Sequence, residues 1–454
     1  MSDRNILYLF ESAVGIGHQR RASGIVNGLI KAGFNVFVAS GTFINAENYF
    51  LPKAHLISLP EPRRIKDGLM CYYDANNIRI TDPDYNYDDW KKSRVLAIKH
   101  FTENTLIDAV FAEWWPFQRR ADFDPIIAAI IEMQERKFGK KPMIVSSLRD
   151  VIQTDNKEIV NSNGEIETSA ISIINSTVDL ILVHGDQNFL PLEQGVADYG
   201  QIRKPILYTG YVVDENAVSC SIPERNKTVL VSCGSGHDGH YMMHATLRAM
   251  PFSKMAFMEW HYVLGPRMQP LQKTQFNNTV NEVLDKNPDL KIVIHDQLPQ
   301  FPKFLSSAAF SISLAGYNTT MEVLVSNTPS VLIPKFTEHS GKITKIEGEQ
   351  WERLLLMKEK RMANIAHPKE VLKPEKFADI LDCAYANPTA VNKLNINGIS
   401  NTAELMKDLL PGKEFPLKKE KAYESIHSGL ESHCTIPNSL PAWWNDTGKL
   451  IIQW

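Results

Sequence analysis

At 454 residues the chain is long enough for two domains, each with its own core, and a tail. A hydrophobic fraction of 43% and a charged fraction of 22% are ordinary for a globular protein, and a net charge of −3 gives no electrostatic reason to expect a nucleic-acid partner. The five cysteines (Cys71, Cys220, Cys233, Cys383, Cys434) are scattered, odd in number and without metal spacing, residues 1–14 lack a signal-peptide pattern, and no apolar run approaches the roughly twenty residues of a spanning helix, so a reducing, cytoplasmic setting is expected.

Residues 5–10, NILYLF, predict a first buried strand. The turn Gly15-Ile16-Gly17-His18 follows, then Ala22, Ile25, Val26, Leu29 and Ile30 at helical spacing, with Gly33 as the closing residue. Phe34 to Val38 is the next strand. Strand, Gly-x-Gly loop, helix and strand make a Rossmann-like half. The dinucleotide fingerprint is nonetheless incomplete: G-I-G-H-Q-R has no third glycine, and Ser40-Gly41 brings no acidic ribose ligand. Residues 43–100, with Pro52, Pro60, Pro62 and a polar aromatic run from Tyr72 to Trp90, read equally as an acceptor-facing loop or a plain insertion.

Three further buried-strand patterns follow. Asp108 to Ala112 delivers Glu113, Pro142 to Ser147 leads to Arg149 and Asp150, and Val178 to Val183 leads to His184, Gly185 and Asp186. Parallel sheets place their ligands at such strand ends. Five or six strands alternating with helices predict an α/β domain over residues 1–215. The polar run Ile222 to Lys227 is a linker, and a second series opens at Thr228 to Ser232, followed by Gly234-Ser235-Gly236-His237-Asp238-Gly239 and a helix with Met242, Met243, Leu247 and Met250. Strands at His261–Leu264, Lys291–Ile294 and Phe310–Leu314 follow. The last stops at Ala315-Gly316, and a helix from about Asn318 carries Glu322 one turn in. A strand at Ser330–Ile333, ended by Pro334, completes a βαβ unit whose helix start points backbone N–H groups at the mouth of the sheet. The second domain is expected over residues 222–390. Residues 391–454 form a tail, with Lys413, Lys418, Lys419, Lys421, Trp443, Trp444 and Trp454. The tail reads either as packed on the domains or as a peripheral membrane contact.

The ordered set Ser313, Ala315-Gly316, Glu322, Ile333-Pro334 and Gln350 resembles the donor-binding signature of GT-B glycosyltransferases, especially the family 28 or MurG-like group. The opening GIGHQRR is similar to that of MurG-like transferases and related nucleotide-sugar hydrolases. The segments AEWWPFQRR (112–120), SSLRD (146–150), LVHGDQNFLPLE (182–193), TGYV (209–212), CGSGHDG (233–239) and GYNT (316–319) extend the likeness over most of residues 5–360. The resemblance implies a GT-B fold, two Rossmann-like domains facing a central cleft. It also implies an inverting, metal-independent hexosyl transfer from a nucleotide-sugar donor, UDP-linked rather than NAD or ATP, to an acceptor of unnamed class.

Read as such a site, the donor's diphosphate would meet Gly17, Gly234-Ser235-Gly236 and Gly316-Tyr317-Asn318-Thr319, with Glu322 on the ribose and Gln350 (or its neighbour Glu349) on sugar hydroxyls. His18 and Glu113 are rival general bases. Of Arg20, Arg21, Arg119 and Arg120, Arg20 and Arg119 are chosen for acceptor or phosphate contact. His237, Asp238 and His240 lack a third well-spaced ligand, so neither metal nor cofactor is expected. The alternatives are a nucleotide-sugar hydrolase or epimerase on the same scaffold and a non-catalytic nucleotide-sugar binder.

Overall fold

The computed structural model describes residues 4–12, 16–61, 64–66, 69–72, 74, 76, 78–82, 84–152, 169–196, 198–213, 225–236, 239–298, 300–389 and 394–410. Gly15, His237, Asp238, the first half of the linker and the lysines and tryptophans named in the tail lie outside them. Up to Ala403 the described chain forms one compact unit, and the residues from Glu404 belong to another.

The first domain opens with β1 (Asn5–Leu9), α1 (Gly17–Lys31), β2 (Asn35–Ser40) and β3 (His55–Ser58), then the short antiparallel pair β4 (Arg64–Lys66) and β5 (Leu69–Cys71). It continues through α2 (Tyr87–Thr102), β6 (Ala109–Glu113), α3 (Arg120–Phe138), β7 (Met143–Arg149), α4 (Ala170–Thr177), β8 (Leu180–His184) and β9 (Ile206–Tyr208). Seven strands pair in the order β3-β2-β1-β6-β7-β8-β9, all parallel, where the periodicity predicted five or six. The central strands are apolar on both faces: Ile6, Leu7, Tyr8 and Leu9 have no exposed surface, nor do Ala109 to Ala112. Such runs need helices on both sides, and the crossovers supply them. Residues 43–100 hold β3, the β4–β5 pair and α2, which starts on an Asn86–Asp89 capping box.

The second domain repeats the plan. It contains β10 (Thr228–Ser232), α5 (His240–Ala249), β11 (Glu259–Val263), α6 (Pro270–Lys286), β12 (Lys291–His295), α7 (Phe301–Ser307), β13 (Phe310–Leu314), α8 (Tyr317–Ser326) and β14 (Ser330–Ile333). A hairpin of β15 (Phe336–His339) and β16 (Lys342–Ile346) precedes α9 (Gly348–Glu359), β17 (Asn364–Ile365), α10 (Pro368–Val371) and α11 (Pro374–Ala386). Six parallel strands run in the order β12-β11-β10-β13-β14-β17.

In each sheet the strand order reverses once, between β1 and β6 and between β10 and β13, and a crevice opens there at the strands' C-terminal ends. The chain then returns to the first domain. Tyr211 N donates to Asn395 O (2.7 Å), Gly398 N to Tyr211 O (3.0 Å) and Asn401 Nδ2 to Thr209 O (2.8 Å), where α12 (Gly398–Leu409) begins. The stretch after 390 therefore starts as part of the compact body.

The two domains share a hydrophobic cluster. Val151, Phe189, Leu190, Tyr211 and Val213 of the first pack with Ala315, Tyr317, Met321, Leu354 and Met357 of the second. A shared apolar core is what fixes domains that would otherwise move.

Candidate functional site

The two strand-reversal points open into one cavity of about 640 Å³. Ile16, Gly17, His18, Arg20, Arg21, Tyr49 and Arg149 line it from the first domain. Facing them are Ser232 to Ser235, Gly316 to Thr319 and the start of α9.

On the first-domain side α1 begins directly after the β1 loop, so His18 stands in its first turn, while β6 ends on Glu113 beside it. His18 Nδ1 lies 3.4 Å from Glu113 Oε1. Arg21, one turn further along α1, closes on the same carboxylate oxygen. The sequence offers His18 and Glu113 as rivals; the fold makes them a pair. Burial pushes the His18 imidazole below its ordinary value, Arg149 and Arg21 add to that, and Glu113 opposes it. Burial also works against the Glu113 carboxylate, but Arg21 and His18 outweigh it and hold the group at about 2. At neutral pH the pair is thus a carboxylate beside a neutral imidazole. An ionised carboxylate accepts only from the Nδ1–H tautomer, which leaves the Nε2 lone pair for a substrate proton. Beneath it, Ser147 Oγ and Thr209 Oγ1 hold the two nitrogens of His184, each at 2.8 Å. Burial pushes that imidazole down to about 3.

On the second-domain side the lining is mostly uncharged. Gly316 caps α8 without any side-chain acceptor, and α1 likewise starts at Ile16 without one. Neither helix has an acidic residue in its first turn. First-turn N–H groups have no acceptor within a helix, so two positive helix ends meet at the cavity. They touch: Asn318 Nδ2 donates to Gly17 O at 3.0 Å. Ser313, nominated from the signature, is fully buried and bonds Ser232 Oγ (2.9 Å) and Ser311 Oγ (3.0 Å), tying β10 to β13 below the glycine turns. Cys233 lines the cavity as well, but burial pushes its thiol to about 12, so it is no nucleophile.

The nominated residues sort unevenly. Gly17, His18, Arg20, Gly234, Ser235, Gly316, Tyr317, Asn318, Thr319 and Gln350 line the cavity, with Glu113 directly behind His18. Gly236 does not line it. It turns the chain at φ +91°, where an added Cβ would meet Leu264 O at 2.4 Å. Arg119 does not line it either; it sits in the left-handed region before α3 and pairs with Asp122 (3.7 Å), while Arg120 pairs with Asp124 (3.1 Å).

Glu322, nominated for the ribose, is not among the residues lining this cavity. It is 3% exposed, ion-paired to Arg20 of the first domain, and lines a neighbouring cavity of about 410 Å³ along α1. The reason is tertiary, since α1 covers the α8 face that carries it. Tyr317 also crosses between domains, its hydroxyl donating to His184 O at 2.8 Å. Gln350 Oε1 accepts from Lys335 N at 2.8 Å. Glu349 takes Arg149 at 3.1 Å and Arg353 at 2.7 Å, and Arg353 in turn grips Asp150 through Nη2 (2.9 Å) and Nε (3.1 Å).

Gly265, Pro266, Gln297, Leu298, Gln300, Phe301 and Pro302 line the cavity too, and sequence reasoning passed over them. They follow β11 and β12, so the rule that found His18 and Glu113 reaches them once applied to every strand end. Among the described residues no group of three His, Cys, Asp or Glu side chains forms a metal site, and no helix is long and apolar enough to cross a membrane. His240, the described member of the His237-Asp238-His240 group, opens α5 and bonds Gln272 (3.0 Å).

No protein-family model matches the chain, and no curated protein matches it by sequence. Solved structures do. UGT89C1 of Arabidopsis thaliana, complexed with quercetin, is 13% identical with a TM-score of 0.53, covering 94% of this chain and 100% of its own. UGT2 of Phytolacca americana, complexed with UDP-2-fluoro-glucose and pterostilbene, is 11% identical at 0.52, covering 95% and 100%. MurG of Acinetobacter baumannii is 12% identical at 0.50, covering 89% and 99%. At such identities the likeness speaks to the fold alone, and with the two parallel sheets facing one cavity it settles that much: the chain has the GT-B fold.

Proposed function

We propose that this chain is an inverting, metal-independent hexosyltransferase of the family 28 or MurG-like group, moving a sugar from a UDP-linked donor to a hydroxyl acceptor. The observation that carries the reading is His18, oriented by Glu113 on one wall of a cavity whose other wall is the bare start of α8. The donor's diphosphate lies against the first-turn amides of α8 and the Gly234-Ser235 turn, and its flat base against Leu298, Phe301 and Pro302. His18 Nε2 removes the acceptor hydroxyl's proton as that oxygen bonds to the anomeric carbon. The bond from this carbon to the diphosphate oxygen breaks on the opposite face. The negative charge appearing on the diphosphate is stabilised by the helix-start amides, and the imidazolium by Glu113. Glu322 is assigned to holding α8 on α1 through Arg20 rather than to the ribose.

Thermal-shift screening of nucleotide sugars, followed by calorimetry with UDP, NAD and ATP, tests the donor, because a ligand held only by the native state raises apparent stability. UDP and at least one UDP-sugar should bind most tightly. A preference for NAD overturns the reading, and UDP release without any acceptor reassigns the site to hydrolysis.

A further inference from the structure

Arg149 lines the cavity at the end of β7, yet the reaction as drawn gives it no task. Its guanidinium carbon lies 3.9 Å from the centre of the Trp114 ring, an arrangement in which a cation is attracted to the indole face. Trp114 in turn meets the His18 ring edge-on, centroids 5.5 Å apart at 76°. Its backbone has φ +64°, costly for a bulky residue, and it is held by Trp114 N donating to Ser147 O at 2.9 Å. On its far side Arg149 Nη2 reaches Glu349 Oε2 of the second domain. Arg149, Glu349, Arg353 and Asp150 then form a chain of three ion pairs across the domain seam.

We propose that Arg149 is a positioning residue for His18: held by Glu349 of the second domain, it braces Trp114 against the imidazole, so that the base is set in place only where the two domains meet. This rests on the reading of His18 as the base. The charged groups acting on His18 are Glu113, Arg21 and Arg149, with Trp114 as its ring neighbour. Arg149 on the cavity wall has a rival role, that of a direct ligand to the donor's diphosphate.

The test uses the full chain with ¹³C-labelled histidine, the His18 signal being identified by its loss in His18→Gln. Arg149→Gln should raise the His18 pKa by about half a unit or more, because a neighbouring like charge is removed. Glu349→Ala is decisive. Were Arg149 acting by charge from a fixed place, deleting a nearby carboxylate would lower the His18 pKa. If Glu349 holds Arg149 against Trp114, releasing it raises that pKa instead. A rise is expected, and a fall or no change overturns the proposal. UDP affinity by calorimetry should stay within about twofold in Arg149→Gln, and a loss of about tenfold or more makes Arg149 a diphosphate ligand and overturns it as well. Should Arg149→Gln fail to fold, Glu349→Ala carries the test alone. Failure of UDP to bind the unaltered chain would refute the proposed function, while the His18 titrations still decide the role of Arg149.

Discussion

The two strand-reversal points are alike in topology and unlike in chemistry. Between β1 and β6 the first domain presents titratable side chains, His18 on Glu113 with Arg21 behind. Between β10 and β13 the second presents glycines, serines and the bare start of a helix. A side chain can move a proton, whereas a row of backbone amides can only hold an anion. Under the proposed function, chemistry belongs to one wall of the cavity of about 640 Å³ and donor binding to the other.

The sharpest way to break this division is on the first wall. His18→Ala should lower kcat by about 10²–10⁴ while UDP affinity barely changes. Glu113→Gln should also lower kcat, and its pH dependence has a definite sign. Glu113 favours the imidazolium, so without its charge the His18 pKa falls further and the acid limb of the kcat profile moves to lower pH. If His18→Ala keeps near-normal kcat and Glu113→Gln does not, Glu113 is the base and His18 a structural residue.

The seam that holds the walls opposite each other comes next. Asp150 and Arg353 are both without exposed side-chain surface, so Asp150→Asn leaves a buried cation short of its partner. Breaking such a pair costs about 3–5 kcal/mol, and replacing both members by apolar residues of similar volume should restore much of it. Urea unfolding of Asp150→Asn, Arg353→Met and an Asp150→Leu, Arg353→Met double variant checks this. A loss in the double variant equal to the sum of the two single losses would mean that the charges are not coupled.

How far the sequence discloses this arrangement depends on whether one domain or two must be considered. The apolar runs Ile6 to Leu9 and Phe310 to Leu314 are legible because strands buried on both faces admit little else. His18, Glu113 and Gly316 follow from the rule that ligands meet strand ends. Glu322 is nominated for the ribose from its place in α8 alone, whereas its cover comes from α1, some three hundred residues away in the chain. Tyr317, read as a donor contact, spends its hydroxyl on His184 O for the same reason. Arg149 and Glu349 are each ordinary charges in their own segments and acquire meaning only as a pair across the seam. Arg119 shows the converse, since its place in the segment 112–120 does not bring it to the cavity, and its backbone starts α3 instead.

The smallest expected effect separates Gly316, on the second wall, from Gly236 behind it. Gly316 has φ −62° and ψ 146°, an ordinary extended conformation, and among the described residues a Cβ there would meet no atom within 4 Å. Gly316→Ala loses some cap preference but also restricts the unfolded chain, and the two should cancel to within about 0.5 kcal/mol of stability. The open space is nevertheless the cavity itself, so the new methyl group stands where the diphosphate is proposed to lie. UDP affinity should fall about tenfold, or about 1.4 kcal/mol, in a protein that unfolds as before. Gly236→Ala should do the reverse: its φ of +91° and the 2.4 Å approach to Leu264 O make it destabilising by about 1–3 kcal/mol, with UDP affinity kept in the folded fraction. Calorimetry and thermal unfolding on the two variants check both halves. If Gly316→Ala binds UDP as tightly as the unaltered chain, the diphosphate does not rest on the start of α8, and the second wall loses its assigned task.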